Sequence, residues 1–249
     1  MPGTQELRGR VALVTGASRN IGRAIALDLA EAGAAVVINT RASRDAAASV
    51  VREIEAGGGQ ALLAIADVTD EPAVRAMVDA SVARFGRLDI VVNNAALRPE
   101  RPFGEMDLAE FRAVVGLILD GAFLCARFAL PHLQRSDGAA IVNIGGMTGH
   151  SGAAGRAHVV AGKAGLVGLT KALAHELSPQ GITVNCVIPG LIATTRAGAV
   201  PGVHLRNPPL VGRPGEPEDI AAMVRYLAGP TGRYITGQTI HVNGGAFLP

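Results

Sequence analysis

The densest chemical signal lies near the start of the chain, in Thr15-Gly16-Ala17-Ser18-Arg19-Asn20-Ile21-Gly22. Gly16 at the end of an apolar run permits a tight turn, and Gly22 lets a following helix sit close to a sheet. Free N–H groups at a helix start, helped by the helix dipole, can hold a pyrophosphate. The position between the first apolar run and the first helical pattern strengthens that reading, although a ligand-free βα turn would need the same glycines. Arg41 closes the second apolar run in Asn39-Thr40-Arg41 and offers a guanidinium fork to a phosphate. Arg19 could approach the same group. An acid at that place would instead accept hydrogen bonds from ribose hydroxyls and repel a 2′-phosphate. The next acid is Asp45. The competing reading leaves both arginines solvated on an arginine-rich surface.

The histidines show no metal-ligand spacing. His132, His175, His204 and His241 read as structural, while His150 and His158 lie near a lysine, Lys163. A neutral imidazole can act as a general acid or base near pH 7. Arg98, Arg101, Arg156, Arg196 and Arg206 stand in loops that could border a pocket and hold an anion. The two cysteines, Cys125 and Cys186, sit in apolar runs and read as buried free thiols of a reducing, cytoplasmic compartment.

The elements that must position these residues are legible in the hydrophobic pattern. Short apolar runs cover Val11–Thr15, Ala35–Thr40, Ala61–Ala66, Asp89–Asn93, Ala139–Ile144, Ile182–Val187 and Thr239–Val242. Helical spacing fills the gaps, as in Ile21, Ile25 and Leu29, or Leu166, Leu169, Leu173 and Leu177. The alternation predicts an α/β fold: one doubly wound, seven-stranded parallel sheet of Rossmann type in a single domain over 1–249. Two stretches break the rhythm, Ala95–Pro102 and Pro189–Pro217. Both follow strands at the ligand-binding end of such a sheet, and 190–213 is the expected lid or substrate loop.

The 249 residues are 49% hydrophobic, enough for a substantial core, with a net charge of +2. That balance excludes a dedicated nucleic-acid binder and a disordered chain. No signal peptide and no uninterrupted apolar run of membrane-spanning length is expected.

Thr15 to Gly22 resembles the cofactor loop of the short-chain dehydrogenase/reductase family. So do Asn93-Asn94-Ala95, Asn185-Cys186-Val187-Ile188-Pro189-Gly190, Gly212 to Asp219, Thr236-Gly237-Gln238 and Asn243-Gly244-Gly245, in family order over residues 8 to 245. The resemblance is to its 3-oxoacyl-acyl-carrier-protein-reductase-like members. It implies a nicotinamide cofactor, a small-molecule substrate and a homotetramer. The absence of an acid at Arg41 is similar to the family's NADP-preferring members, so NADP(H) is expected over NAD(H). By the same resemblance the cofactor contacts are Gly16, Ser18, Arg19, Asn20, Ile21, Gly22, Arg41, Asp67, Val68, Asn93, Ala95, Lys163, Pro189, Gly190, Ile192 and Thr194. Asn20 and Ala96 stand where the family has glycine. Asn tolerates a left-handed backbone, so the turn is expected to survive with the Asn20 side chain turned from the pyrophosphate.

The family's chemistry uses Asn, Ser, Tyr and Lys. Lys163 matches the lysine. The tyrosine position, four residues earlier on the same helical face, is Val159. The serine position is Gly146, and the asparagine position is Ile118. The only tyrosines are Tyr226 and Tyr234, far beyond Lys163. The usual proton donor is absent, and Lys163, His150 and His158 are the candidate replacements, beside a bound water or the substrate itself. His158 is one residue from the tyrosine position, which on a helix turns it by about 100°. Two expectations follow: an atypical NADP(H)-dependent oxidoreductase, or a catalytically silent NADP(H)-binding relative acting as sensor or partner subunit.

Overall fold

A computed structural model describes residues 5–195 and 208–249. Its strands are β1 (Val11–Val14), β2 (Ala35–Thr40), β3 (Gln60–Ile65), β4 (Ile90–Asn93), β5 (Ala140–Ile144), β6 (Thr183–Pro189) and β7 (Thr239–Val242). They form one sheet in the order β3-β2-β1-β4-β5-β6-β7, with every neighbouring pair parallel. Each apolar run in the sequence became a strand, β2 and β7 with the expected ends and the others with ends shifted by at most two residues. β6 runs on to Pro189, tolerated because a proline at a strand end forfeits only one N–H donor.

The helices are α1 (Asn20–Glu31), α2 (Arg44–Ala56), α3 (Glu71–Phe85), α4 (Leu108–Leu133), α5 (Thr148–Ser151), α6 (Ala157–Leu177) and α7 (Pro217–Ala228). Alternation along each strand sorts the core into two layers. Ala12, Val14, Val36, Ile38 and Val92 face α1, α2 and α7, where Ile25, Leu29, Val50 and Val224 meet them. Val11, Leu13, Val37, Val91 and Ile141 face α3, α4 and α6, and meet Val74, Val78, Cys125, Leu133 and Leu177. Both faces are covered, which is why the strands read as unbroken apolar runs. Each buried valine, leucine or isoleucine here contributes about 2 kcal/mol by leaving water.

Helix α4 alone among the described residues is long and apolar enough to cross a membrane by length and composition. Here it packs into the fold: Ile118, Cys125, Ala129 and Leu133 are buried. Its start is fixed by Asp107, whose side chain accepts from the Glu110 N–H at 2.7 Å.

The strand order reverses between β3 and β4, so the loops after β1 and β4 diverge and leave a crevice at the carboxyl end of the sheet. The opposite end is closed by Asp89. Its carboxylate is fully buried and accepts from Arg87 at 2.8 and 2.6 Å, from the Val11 N–H at 2.9 Å and from the Ser136 hydroxyl. Burial opposes its charge, but these donors hold its pKa below the ordinary carboxylate value.

Candidate active site

The turn after β1 is shaped by contacts that leave no room for side chains. Gly16 has φ +62°, and a Cβ there would meet the Ala95 Cα at 3.0 Å. A Cβ on Gly22 would lie 2.3 Å from the Gly16 carbonyl oxygen. Thr15 and Asn94 strap this loop to the end of β4. The Thr15 hydroxyl accepts from the N–H groups of Asn94 and Ala95 at 2.9 and 3.0 Å. The Asn94 amide donates to the carbonyls of Thr15 and Gly16 at 2.9 and 3.0 Å.

Asn20 has φ 51° and is the one non-glycine among the described residues in the left-handed region, as expected where the family has glycine. Its side chain is engaged. Oδ1 accepts from the Thr195 N–H at 3.1 Å and from its hydroxyl at 2.9 Å, and Nδ2 donates to the Thr195 carbonyl at 3.3 Å. These bonds tie the glycine-containing loop to the segment after β6. Asn94, Glu100 and Thr195 were absent from the sequence-derived set. Asn94 stands in a motif the sequence displays, but nothing signals that Thr195 faces Asn20 across 175 residues.

The crevice is a cleft of about 780 Å³, within the range of small-molecule and cofactor sites. Gly16, Ser18, Arg19, Asn20, Ile21 and Gly22 line it from the turn, and Arg41, Asp67 and Val68 from the ends of β2 and β3. Ala95, Lys163, Pro189, Gly190, Ile192 and Thr194 complete the expected set. Asn93 is the exception. It lies beneath the cleft, because the last strand residue points its side chain into the layer below. Its amide donates to the Asn143 side-chain oxygen at 2.8 Å, and Asn143 donates to the Thr170 hydroxyl at 2.9 Å.

The mouth of the cleft is cationic. Arg41 stands 3.6 Å from Asp67. The Asp67 pKa is lowered, first by the Thr69 N–H, then against burial by the Thr69 hydroxyl and Arg41. Arg98 and Arg156 also line the cleft. Arg156 donates to Glu100 at 3.0 and 2.6 Å, and so pins the loop after β4 to the start of α6. Arg101 is turned away to Glu110 at 3.2 Å. Arg196, His204, Arg206 and most of the expected lid lie outside the described residues.

The three positions singled out by the resemblance, Ile118, Gly146 and Val159, lie in or beside the cleft's apolar wall. Val159 and Ile118 are both buried and pack in one cluster with Val114, Ala122 and Leu166. Gly146 lines the cleft, and a Cβ there would sit 3.6 Å from the Lys163 Cγ, an ordinary contact. Lys163 is buried, and its Nζ donates to the Ile144 carbonyl. Burial, with Arg98 adding and Cys186 opposing, brings its pKa down to about 7.

Neither histidine reaches this centre. His158 is fully buried on the far side of α6, with Nδ1 accepting from the Val159 N–H at 3.0 Å and Nε2 3.8 Å from a Glu110 oxygen. The helical turn of one residue aims it at α4 instead of the cleft. His150, on α5, lies edge-on to His241 with ring centroids 4.8 Å apart and beside Phe247. Burial and Lys171 lower its pKa. The chain bends after Gly146 and carries this ring toward the C-terminal segment. Cys125 and Cys186 are free and buried, with burial pushing their thiols up to about 12 and about 11.

Comparison with known proteins agrees with this frame. The family model described as enoyl-(acyl carrier protein) reductase matches residues 16–246. The chain is 43% identical to a 3-oxoacyl-[acyl-carrier-protein] reductase of Staphylococcus aureus, over 95% of this chain and 98% of that protein. It is 40% identical to one of Synechocystis sp., over 97% and 98%. Among solved structures, a dehydrogenase/reductase from Sinorhizobium meliloti superposes with a TM-score of 0.93 at 38% identity, covering 98% of each chain. A short chain dehydrogenase from Burkholderia cenocepacia, in complex with NADP, does so at 0.91 and 37% identity, covering 97% and 99%. With that sheet order, a glycine turn at its crevice and relatives matching from end to end, the chain belongs to the short-chain dehydrogenase/reductase family.

Proposed function

We propose that this protein is an NADP(H)-dependent oxidoreductase acting on a carbonyl or alcohol of a small molecule, with a non-standard proton donor. The observation that carries the reading is the near-complete cofactor cradle: all expected contacts but Asn93 line one cleft. The residues present fit the cofactor. The glycines at 16 and 22 admit no Cβ without a clash, leaving backbone N–H groups at the start of α1 for a pyrophosphate. Arg19 and Arg41 would hold a 2′-phosphate at the mouth. Thr194 would meet the nicotinamide end.

When bound, the nicotinamide supplies or accepts a hydride. The chain itself orients the substrate and manages one proton, without the tyrosine and serine of the family. A homotetramer in a cytoplasmic setting is part of this reading, and light scattering on the purified protein tests the assembly. A second reading, a silent NADP(H)-binding sensor or partner subunit, draws on the apolar closure of Ile118 against Val159.

Calorimetric titration with NADPH and NADH tests the cradle. NADPH is expected to bind more tightly, and Arg41→Ala to weaken it about tenfold, about 1.4 kcal/mol, while leaving NADH unchanged. Binding of neither nucleotide would refute both readings.

A further inference from the structure

We infer that Lys163 is itself the acid–base group of this centre, and that a single buried water held by Asn93 keeps its ammonium form available. The inference rests on the nicotinamide-dependent reading above. Elimination within the cleft comes first. Among the described residues, its lining has no tyrosine, histidine or cysteine. Its ionisable side chains are four arginines, Asp67, Glu100 and Lys163. Arginine does not give up its proton. Asp67 sits at the Arg41 end with Thr69, and Glu100 is committed to Arg156.

A second observation comes from beneath the cleft. A small cavity of about 10 Å³ lies there, the size of one water. Lys163 lines both this cavity and the open cleft, and it carries the one ionisable side chain common to the two. The cavity also has Asn93 in its wall. The Asn93 Oδ1 is buried and has no hydrogen-bond partner, an arrangement that costs about 1–3 kcal/mol unless something satisfies it. The Thr15 hydroxyl, also in the wall, is already used by Val92, Asn94 and Ala95. A water placed there accepts from the Lys163 ammonium and donates to Asn93 Oδ1.

The groups acting on Lys163 are few. Arg98 in the loop after β4 opposes its charge, and Cys186 on β6 favours it. From α4, the cavity wall receives Leu117, Ile118, Gly121 and Ala122, none of them titratable. From α5, Gly149 packs on the Lys163 Cβ. A pKa near 7 then leaves ammonium and amine both populated at neutral pH. In the reductive direction the carbonyl carbon gains a hydride and its oxygen takes one proton from the ammonium. Lys163 is left as the neutral amine, and after product leaves it regains one proton from solvent through the cleft. Oxidation runs the same transfers in reverse.

The chain has two lysines, Lys163 and Lys171. Selective ¹³Cε labelling of lysine therefore gives two side-chain signals, with Lys171→Arg assigning them. In the protein without nucleotide, Lys163 is expected to titrate near pH 7, well below the value of about 10.4 for an unperturbed lysine. Asn93→Leu should lower the Lys163 midpoint by about one pH unit, and Asn93→Asp should raise it. A crystal structure of the wild type at about 1.5 Å should show ordered density bridging Lys163 Nζ and Asn93 Oδ1. A Lys163 signal that titrates near about 10.4, as an unperturbed lysine does, overturns the acid–base role. A dry cavity, or folded Asn93 variants with an unmoved midpoint, overturns the water. These readouts need no turnover, so they stand apart from the calorimetric test of nucleotide binding.

Discussion

Ile118, Gly146 and Val159, the three positions singled out by the resemblance, differ in what surrounds them. Ile118 and Val159 are not surface replacements but members of a buried cluster, so a polar group at either place must find a partner within it. Gly146 differs, since a Cβ there meets nothing closer than 3.6 Å. Gly146→Ser is expected to leave stability within about 0.5 kcal/mol. Ile118→Asn should destabilise by about 3 kcal/mol, through lost apolar burial and an unsatisfied amide. Urea denaturation of the two variants checks both, and an equally mild Ile118→Asn would show that the cluster admits water. Sequence counting singles out these three positions by fixed offsets from Lys163 and Gly121. The exclusion of His150 and His158 was harder to read. The helical turn already warned against His158, but the bend that takes His150 to His241 leaves no trace in spacing.

The phosphate loop and the segment after β6 depend on each other through Asn20. A left-handed asparagine costs about 1 kcal/mol relative to glycine, and the three bonds to Thr195 offset it. Asn20→Gly should therefore change global stability little while freeing Thr195. The prediction is an amide exchange rate at Thr195 about tenfold faster, with strand amides of β1 and β4 unchanged. An unchanged rate at Thr195 would mean that its amide is protected by something other than Asn20. At this scale the sequence was a good guide to each element taken alone. α1 starts where the glycine turn ends, and α6 carries Lys163 and Val159 on one face. Pairings between elements, such as Glu100 with Arg156, were not readable, because ion pairs in loops carry no periodicity.

The whole molecule is a sheet with chemistry at one end and a charge clamp at the other. Asp89 joins the N-terminal ends of β1 and β4 to the turn before β5, through Val11, Arg87 and Ser136. Its folded pKa lies below the unfolded value, so its stabilisation is present above about pH 4 and is lost as pH falls through the folded pKa. Asp89→Asn is expected to cost about 3 kcal/mol at pH 7, since it leaves buried donors and Arg87 without their carboxylate. The difference from wild type should shrink at lower pH. Denaturation curves for both proteins from pH 7 to pH 3 measure this, and a pH-independent difference would assign the loss to packing instead of charge.

By itself the sequence determined the parallel sheet, the position of the glycine turn and the absence of a tyrosine four residues before Lys163. Each is a local property, set by apolar runs, by glycine at sterically closed positions and by residue identity at fixed helical offsets. The tertiary structure decided which side chains share a cavity. Asn93 points beneath the sheet end with its oxygen unpartnered, and Lys163 stands between that cavity and the cleft. Burial depends on everything that packs around a group, so the ionisation of Lys163 became readable only once α4, α6 and β5 had closed on it.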